Sequence, residues 1–423
     1  MSSYLPRLVD DSLHIKLKGK GAVLIQGPKW CGKTTTAEQV AKSVIYMDEP
    51  ERKAQNIQMA DISPSLLLGG ETPRLIDEWQ LAPKLWDAVR FEVDHRNGKG
   101  HFILTGSSVP SDVSETSHSG TGRFAWLTMR NMSLYESGES SGEVSVRELF
   151  EGKDDISGTN RLDIMRLAYL VCRGGWPDIL GLEDEIALEA AFDYLDGVVN
   201  SDISRVDNIR RDPERARRIM RSYARNQGAQ ISFTKIAADI SANELSFTDE
   251  TIASYVKALK QIFVVDDIVA WNPNLRSKTS IRAADTRYFS DSAIAAAALG
   301  IGPRDLIGDL NTFGLLFETM CVRDLRTYAE SLNGNVYHYR DRSGLECDAV
   351  IHLRNGHYGL VEIKLGGDRL INEGAANLIR LESLIDTEKM PAPSFKMILT
   401  GTDMYAYTRP DGVMVVPVAC LKN

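Results

Sequence analysis

The most constraining feature of this sequence is a glycine-rich loop at residues 27–34, with the sequence GPKWCGKT. It fits the phosphate-binding (P-loop) pattern G-x-x-x-x-G-K-[ST] and lies between an apolar stretch, AVLIQ, and a helix-forming stretch, TTTAEQVAKS. A strand, this loop and a helix together direct backbone N–H groups and a helix N-terminus at phosphate oxygens. The sequence therefore predicts a nucleotide-binding α/β domain built on a parallel sheet.

We expect the whole loop to surround the nucleotide, namely Gly27, Pro28, Lys29, Trp30, Cys31, Gly32, Lys33, Thr34 and the following Thr35. Lys33 is expected to reach the β- and γ-phosphates of ATP, and Thr34 to bind Mg²⁺. The alternative interpretation, a chance match in a turn, is disfavoured by the strand and helix on either side.

An acidic pair in RLIDEWQ supplies the second half of the predicted site. Asp77 ends an apolar strand, where its carboxylate is placed to bind the same Mg²⁺. Glu78 is the candidate general base for the attacking water. An acidic pair after a strand also fits a helix start or a solvated turn, and the upstream P-loop favours the catalytic interpretation.

Four further residues are weaker candidates for the ATP site. Thr105 or Ser107 in HFILTGSS would position water beside the γ-phosphate, or would simply lie in a strand-to-loop transition. Arg123 in GTGRFAWL is a candidate arginine finger for a neighbouring subunit, or a solvated arginine. Arg173 in CRGGWPDIL is a candidate phosphate contact, although the Gly-Gly-x-Pro sequence there also fits a plain turn.

The rest of the chain divides by pattern into residues 1–150 (α/β), 151–305 (mostly helical) and 306–423 (α+β), with a predicted mobile Ser/Gly/Thr-rich loop at 107–122. No apolar run approaches the ~20 residues of a membrane span. The N-terminus lacks the pattern of a secretion signal, and the five cysteines are scattered. A cytoplasmic protein with reduced thiols is therefore expected.

The middle region carries local positive charge in a chain whose net charge is −9. Residues 210–282 contain 13 Lys/Arg against 8 Asp/Glu. The stretch SFTDETIASYVKALKQIFVV resembles the second helix of a winged helix-turn-helix, with Thr248 or Asp249 as N-cap and a β-like wing after it. We expect Arg211, Arg215, Arg218 and Arg225 to share a face that contacts DNA phosphates, or else a solvated or subunit-contacting face. The full basic cluster is Arg210, Arg211, Arg215, Arg217, Arg218, Arg221 and Arg225.

Near the C-terminus, GLECDAVIHLRNGHYGLVEIKLG predicts a hairpin folded at Asn355-Gly356. Glu362 and Lys364 are two residues apart and so face the same side of a strand, and the hairpin brings Asp348 close to them. Two carboxylates that bind Mg²⁺ or Mn²⁺ and a lysine that orients water are the parts of a metal-dependent nuclease.

Glu318 is a fourth candidate for this metal site. It lies on the apolar stripe of a predicted helix, NTFGLLFETMCVRDLRTYAESLNG, for which Asn311 is the predicted N-cap and Gly334 the predicted stop. A glutamate on such a stripe needs a partner, and a metal or the lysine would serve. The alternative partner is Arg323 or Arg326.

The motifs YLPRLVD, LIQGPKWCGKTTTAEQ, LIDEWQLAPKLWDAVR, ILTGSS, GR, MSLYES and GGWPDIL stand in the order found in a bacterial and archaeal family of AAA+ ATPases, and the chain resembles that family over nearly its whole length. The resemblance implies an AAA+ module, a helical lid, a winged-helix-like middle and a C-terminal region like PD-(D/E)XK nucleases. It also implies an oligomer, with a hexamer as the first expectation.

Three functions are compatible with this reading of the sequence. The first is an ATPase that acts on DNA and cuts it with the C-terminal region. The second is a ring-forming motor for DNA, including branched DNA, whose nuclease-like region only binds. The third is a nucleotide-dependent switch with a protein partner, which the net charge of −9 favours slightly.

Overall fold

The structure is a computed structural model that describes residues 4–108, 120–207, 209–241, 247–273 and 284–423. Most of the predicted mobile loop and the tip of the predicted wing lie outside these residues. No helix within the described ranges is long and apolar enough to cross a membrane.

The N-terminal region is a parallel sheet with helices on both faces. Its helices are α1 (Val9–Gly19), α2 (Lys33–Glu38), α3 (Lys53–Ile62) and α4 (Lys84–His95). Its strands are β1 (Ala22–Gln26), β2 (Ser43–Tyr46), β3 (Arg74–Asp77), β4 (Phe102–Gly106) and β5 (Phe124–Thr128), in the order β2-β3-β4-β1-β5. Every pairing is parallel, which confirms the predicted sheet.

Apolar side chains on both faces of the strands explain why this sheet is buried. Successive residues such as Leu24 and Ile25 belong to separate hydrophobic cores on the two sides of the sheet. Because β4 lies between β1 and β3, the C-terminal ends of these three parallel strands lie side by side. The P-loop and the acidic pair lie at this end of the sheet beside the end of β4, as expected for a ligand site at a strand crossover.

The middle region is helical. Its helices are α6 (Ile164–Arg173), α7 (Asp184–Gly197), α8 (Ile203–Arg205), α9 (Pro213–Arg225), α10 (Phe233–Ile240), α11 (Asp249–Gln261), α12 (Ser292–Leu299) and α13 (Pro303–Gly308). Thr248 caps α11 by accepting a hydrogen bond from the Thr251 N–H, as one of the two predictions has it. After α11, antiparallel bridges join Val265 to Phe289 and Ile268 to Thr286.

The C-terminal region is a mixed sheet covered by two helices. Its helices are α14 (Leu310–Ser331) and α15 (Asp368–Ser383). Its strands are β8 (Gly334–Arg340), β9 (Glu346–Leu353), β10 (Tyr358–Lys364), β11 (Phe395–Thr400), β12 (Tyr405–Thr408), β13 (Met414–Pro417) and β14 (Leu421–Lys422). Strands β8, β9 and β10 are antiparallel neighbours. Strand β11 pairs in parallel with β10, and α15 connects these two strands in sequence. The predicted hairpin is therefore present as β9 and β10.

The linking segment belongs with the C-terminal strands. It contains β6 (Val144–Ser145), α5 (Val146–Phe150) and β7 (Gly158–Thr159). β6 pairs with β14, and β7 pairs with β12 in the C-terminal sheet. The last strands of the chain therefore pair with residues 144–159. This pairing differs from the prediction, which placed a domain boundary at residue 150.

The ends of α14 also differ from the prediction. Asp309, not Asn311, is the N-cap, and its carboxylate accepts hydrogen bonds from the N–H groups of Asn311 and Thr312. A carboxylate is favoured at a helix N-terminus because it meets the positive end of the helix dipole. The helix ends at Ser331, and Asn333 makes the turn with φ of 60° before Gly334 opens β8.

Candidate functional site

The P-loop leaves β1 through a tight bend that depends on glycine. Gly27 has a φ of 158°, and a Cβ there would lie 2.0 Å from the Met129 carbonyl oxygen at the end of β5. Gly32 has a φ of 97° and directly precedes α2. These backbone angles explain why the pattern has glycine at both positions.

Lys33, Thr34 and Asp77 meet inside the loop. The Lys33 ammonium is buried and donates to the Pro28 carbonyl oxygen at 2.7 Å. The Thr34 hydroxyl donates to Asp77 Oδ1 at 2.7 Å. The two predicted oxygen ligands of Mg²⁺ are therefore adjacent, and the donor set suits a hard cation.

The neighbouring strand end completes a hydrogen-bonded acidic pair. The Thr105 hydroxyl donates to Asp77 Oδ1, and the Ser107 hydroxyl donates to Glu78 Oε2 at 3.3 Å. Gln80 also donates to Glu78, which adopts a left-handed backbone conformation with φ of 53°. Burial raises the pKa of both Asp77 and Glu78 above its ordinary value. A raised pKa brings a glutamate closer to the range of an effective general base.

The middle region touches the P-loop at two points. Lys29 forms an ion pair with Asp202 at 2.7 Å. Trp30, 55% exposed, packs edge-on against Tyr194 of α7 with ring centroids 5.9 Å apart. Since Tyr194 and Asp202 belong to the helical region, a nucleotide in the loop would lie beside that region.

An N-terminal clamp, formed by Tyr4 and Arg7, was not predicted. Arg7 is buried and donates to the Cys31 carbonyl oxygen at 2.7 Å and to the Arg130 carbonyl oxygen at 2.8 Å, and it pairs with Glu136 at 3.1 Å. The Tyr4 hydroxyl lies 3.0 Å from the Thr36 hydroxyl. Arg7 therefore contacts the middle of the P-loop, and Tyr4 contacts the helix that follows it. The signal for them was the motif YLPRLVD.

The structure separates the two arginine candidates from this site. Arg123 pairs with Asp94 at 2.8 Å on the surface and precedes β5, whose first residue pairs with Ala22 at the start of β1. Arg123 therefore lies at the N-terminal ends of the strands, whereas the P-loop of the same chain lies at their C-terminal ends. The Arg173 guanidinium is buried in a 2.7 Å ion pair with Glu139. This pair neutralises the charge of Arg173, which corrects the prediction that Arg173 contacts phosphate.

The basic cluster of the middle region is also divided. Arg211 precedes α9 and is buried in a bidentate pair with Asp207, so it does not share the exposed face of that helix. On α9 itself, Arg218 pairs with Glu214 at 3.1 Å, whereas Arg225 is exposed. Arg215 is half-buried, with its guanidinium over the Phe247 ring. An exposed basic stripe remains, but it is shorter than predicted.

In the C-terminal region, the hairpin brings Asp348, Glu362 and Lys364 together. The Lys364 ammonium lies 3.1 Å from Asp348 Oδ2 and 2.6 Å from Glu362 Oε2. Asp348 Oδ2 also accepts a hydrogen bond from the Ile363 N–H at 2.7 Å. The side chain of Glu362 is 2% exposed, and burial followed by the charge of Asp348 raises its pKa to about 8.

Glu318 approaches the same cluster from α14. Its partner is neither Arg323 nor Arg326, since these pair with other aspartates. The Tyr288 hydroxyl donates to Glu318 Oε1, and burial followed by the charge of Asp348 raises the pKa of Glu318 to about 8.

Residues of the middle region pack against one side of this cluster. A Cβ on Gly228 would lie 2.6 Å from Glu318 Oε1. A cavity of about 20 Å³ on this side is lined from both regions. Its walls are Gly228, Gln230, Thr286 and Tyr288 on one side and Glu318, His338, Tyr339, Arg340, Glu346, Cys347 and Asp348 on the other.

The metal prediction has one observation for it and one against it. The Oε1 atom of Glu362 is buried without a hydrogen-bond partner, as expected of an oxygen reserved for a ligand. However, no three His, Cys, Asp or Glu side chains in the described residues are arranged to hold a metal ion. Here Lys364 bridges the two carboxylates instead.

The parallel sheet and the P-loop with its acidic pair define the class of the N-terminal region as a P-loop ATPase domain. Comparison with known proteins agrees: a family model described as an AAA domain matches residues 19–138. ATP binding and hydrolysis by this region are thereby supported. Two families described as domains of unknown function match residues 165–305 (DUF8612) and 313–421 (DUF4143).

Similarity beyond the AAA domain extends to two mycobacterial proteins and to one solved structure. The chain is 25% identical over 346 residues to the uncharacterized proteins Mb2031c of Mycobacterium bovis and Rv2008c of Mycobacterium tuberculosis, covering 81% of this chain and 70% of each of them. Among solved structures, the Walker-type ATPase PABY2304 of Pyrococcus abyssi is similar with a TM-score of 0.43 and 13% identity, over 68% of this chain and 94% of that chain.

Proposed function

We propose that this protein is an ATP-hydrolysing machine that acts on DNA as a homo-oligomer, with ATP as substrate and Mg²⁺ held by Thr34 and Asp77. The observation that carries the ATPase part is the convergence of Lys33, Thr34, Asp77 and Glu78 at one sheet edge. Such convergence provides phosphate binding, metal binding and a base within one pocket.

Each side chain has a distinct role in this proposal. Lys33 leaves the Pro28 carbonyl and neutralises the β- and γ-phosphates, while the P-loop N–H groups hold their oxygens. Glu78 accepts the proton of the attacking water, and Thr105 and Ser107 keep the two carboxylates oriented. Mg²⁺ would supply charge neutralisation at the phosphates.

The proposal of a homo-oligomer uses the position of Arg123. Arg123 lies near the start of β1, and the P-loop follows the end of β1. The five residues of β1 therefore separate the two by roughly 16 Å, at 3.3 Å per residue. An arginine finger at Arg123 would therefore act on the nucleotide of a neighbouring copy. A hexamer remains the first expectation from the family resemblance.

The proposal of DNA as partner rests on α9 and its surroundings. Arg210, Arg221 and Arg225 are exposed, and none has an ion-pair partner among the residues that the structure describes. These side chains are free to meet phosphates. By contrast, α11 begins with Asp249 and Glu250, so its N-terminus is unsuited to enter a DNA groove, and we assign the phosphate contact to α9.

A second candidate activity is metal-dependent cleavage of DNA at Asp348, Glu362 and Lys364, with Mg²⁺ or Mn²⁺ and with Glu318 as an additional ligand. The unpartnered Oε1 of Glu362 favours it. The Lys364 side chain is 23% exposed, so a DNA phosphate would approach the cluster past this side chain. If the site does not cleave, the region only binds DNA; a nucleotide-dependent switch for a protein partner is the remaining alternative.

One experiment separates these functions. ATP turnover is measured without DNA and with single-stranded, duplex and branched DNA, and strand cleavage is scored in the same samples with Mn²⁺ present. The proposal expects DNA to raise turnover in the wild type and not in Arg221→Gln/Arg225→Gln, with Arg304→Gln/Arg342→Gln, which removes two exposed charges elsewhere, as the charge-matched control. Equal turnover with and without every DNA would refute DNA action. Cleavage that Lys364→Ala abolishes would establish the nuclease, and intact DNA throughout would exclude it.

A further inference from the structure

A cleft of about 210 Å³ lies between the N-terminal and C-terminal regions. One wall is formed by Arg7 and α1, another by the end of α14 and the start of β8, and the floor by β5, the edge strand of the first sheet. The cleft shares Arg7 with the clamp on the P-loop and contains none of the predicted catalytic or metal-binding residues.

The cationic side chains in this cleft differ in their partners. Arg7 pairs with Glu136, and Arg130 pairs with Asp266 at 2.9 Å and with Glu330 at 2.6 Å. The side chains of Lys16 and Arg354 have no ion-pair or hydrogen-bond partner anywhere in the described ranges. These two cations are therefore available to a ligand.

The charge balance of the cleft is opposite to that of the whole protein. Four cations line it, Arg7, Lys16, Arg130 and Arg354, against two carboxylates, Glu136 and Glu330. The lining alone balances to +2, from four positive minus two negative charges, and to +1 when Asp266, the second partner of Arg130, is counted, in a chain of net charge −9. The uncompensated positive charge belongs to Lys16 and Arg354, and it attracts anions.

Lys16 and Arg354 also repel each other. Partial burial and the charge of Arg354 lower the pKa of Lys16, while Glu330 acts in the opposite direction. Two unpaired like charges beside one cavity carry a free-energy cost that an anion between them removes. The neutral polar side chains of Ser12, Asn333 and Asn335 line the same cleft and supply hydrogen-bond donors.

We propose that this cleft is a binding site for a small phosphate-class polyanion, held between Lys16 and Arg354. The size of the cleft sets the class of ligand, because pockets for drug-sized molecules begin at about 300 Å³. A compact anion with one or two phosphate groups fits the volume of about 210 Å³ and both cations. ATP remains the ligand proposed for the P-loop.

Pyrophosphate binding to the Lys33→Ala protein tests this site, because that variant removes the competing phosphate contact of the P-loop. Titration calorimetry is performed without Mg²⁺ and at constant ionic strength, with inorganic phosphate in a second series and sulfate as the salt control. If Lys33→Ala does not fold, the wild type saturated with ADP replaces it. We expect one bound pyrophosphate per chain.

Lys16→Gln and Arg354→Gln, each added to that background, should weaken pyrophosphate binding at least about tenfold, since each removes a charged hydrogen bond. Lys18→Gln, on the same helix but outside the cleft, should leave the affinity within twofold. Matching melting temperatures check that the variants are folded. Absence of binding, equal affinity for sulfate, or affinity unchanged by both cleft substitutions would overturn the proposal.

Discussion

At the P-loop, Lys33 donates to a backbone carbonyl, whereas Lys364 in the C-terminal region donates to both carboxylates of its site. Asp77 is held by the hydroxyls of Thr34 and Thr105, which are neutral groups that can turn towards a metal or phosphate. The first site therefore keeps its lysine available for ligands. The second neutralises its own charges.

The two sites also differ in what contacts them. The P-loop residues Lys29 and Trp30 contact Asp202 and Tyr194 of the helical region, while Glu318 of the C-terminal cluster contacts Tyr288 and lies against Gly228. Similar residue types thus form a P-loop whose lysine has a neutral partner and a cluster whose lysine joins two carboxyl groups. The burial and the partners of a lysine and its carboxylates therefore decide their chemistry more than their spacing does.

The largest predicted effect is on ATP hydrolysis. Glu78→Gln keeps the shape of the side chain but removes the proton acceptor, so kcat should fall by about 10²–10⁴. ADP affinity should change little because the phosphate contacts remain. Steady-state turnover and ADP titration measure the two quantities, with Glu71→Gln as the control. A kcat within twofold of the wild type would remove Glu78 as the base.

The next effect sharpens the contrast in charge pairing. Lys364→Met leaves the largely buried Asp348 carboxylate without its cation, so the free energy of unfolding should fall by about 3–5 kcal/mol. Lys389→Met breaks only an exposed pair and should change stability by at most about 1 kcal/mol. Urea unfolding measures both variants. Equal stabilities of the two variants would show that Lys364 does not stabilise the cluster.

A smaller effect is the pH dependence of stability. The pKa of Glu362 is raised from 4.5 to about 8, so the folded chain holds a proton that the unfolded chain releases between these values. Its contribution to stability is therefore present below pH 4.5 and is lost as pH rises to about 8. Melting temperatures from pH 5 to 8.5 should fall less steeply in Glu362→Gln than in the wild type. Parallel curves would show that Glu362 is ionised throughout.

The smallest effect concerns Arg173. Because its guanidinium is buried against Glu139 and makes no P-loop contact, Arg173→Gln should leave ADP affinity within about twofold, while the lost pair lowers the melting temperature. Fluorescence titration with a labelled ADP measures the first quantity. A tenfold loss of affinity in a folded variant would restore Arg173 as a phosphate contact.

Local signals explain which parts of the molecule the sequence predicts. The P-loop, the strands that end at Gln26 and Asp77, and the hairpin around Asn355-Gly356 are set by short patterns with a direct backbone cause. The N-cap at Thr248 belongs to the same class. These parts of the structure agree with the predictions.

Contacts between distant segments explain the rest. Arg7 reaches Cys31 across 24 residues and Glu136 across 129 residues, and Tyr288 reaches Glu318 across 30 residues. No periodicity in the sequence encodes such pairs. The burial of Arg211 depends in the same way on a tertiary environment, so its exposed basic face was predicted from charge alone and is wrong.

The proposal that the P-loop hydrolyses ATP is tested by measuring ATP turnover with Mg²⁺ in the wild type, Lys33→Ala and Lys364→Ala side by side. We expect turnover in the wild type and a loss of at least about 10²-fold in Lys33→Ala, because the phosphates lose their cation. Folded Lys364→Ala should hydrolyse ATP at nearly the wild-type rate. Turnover that survives Lys33→Ala, or that disappears in Lys364→Ala while the protein stays folded, would contradict this proposal.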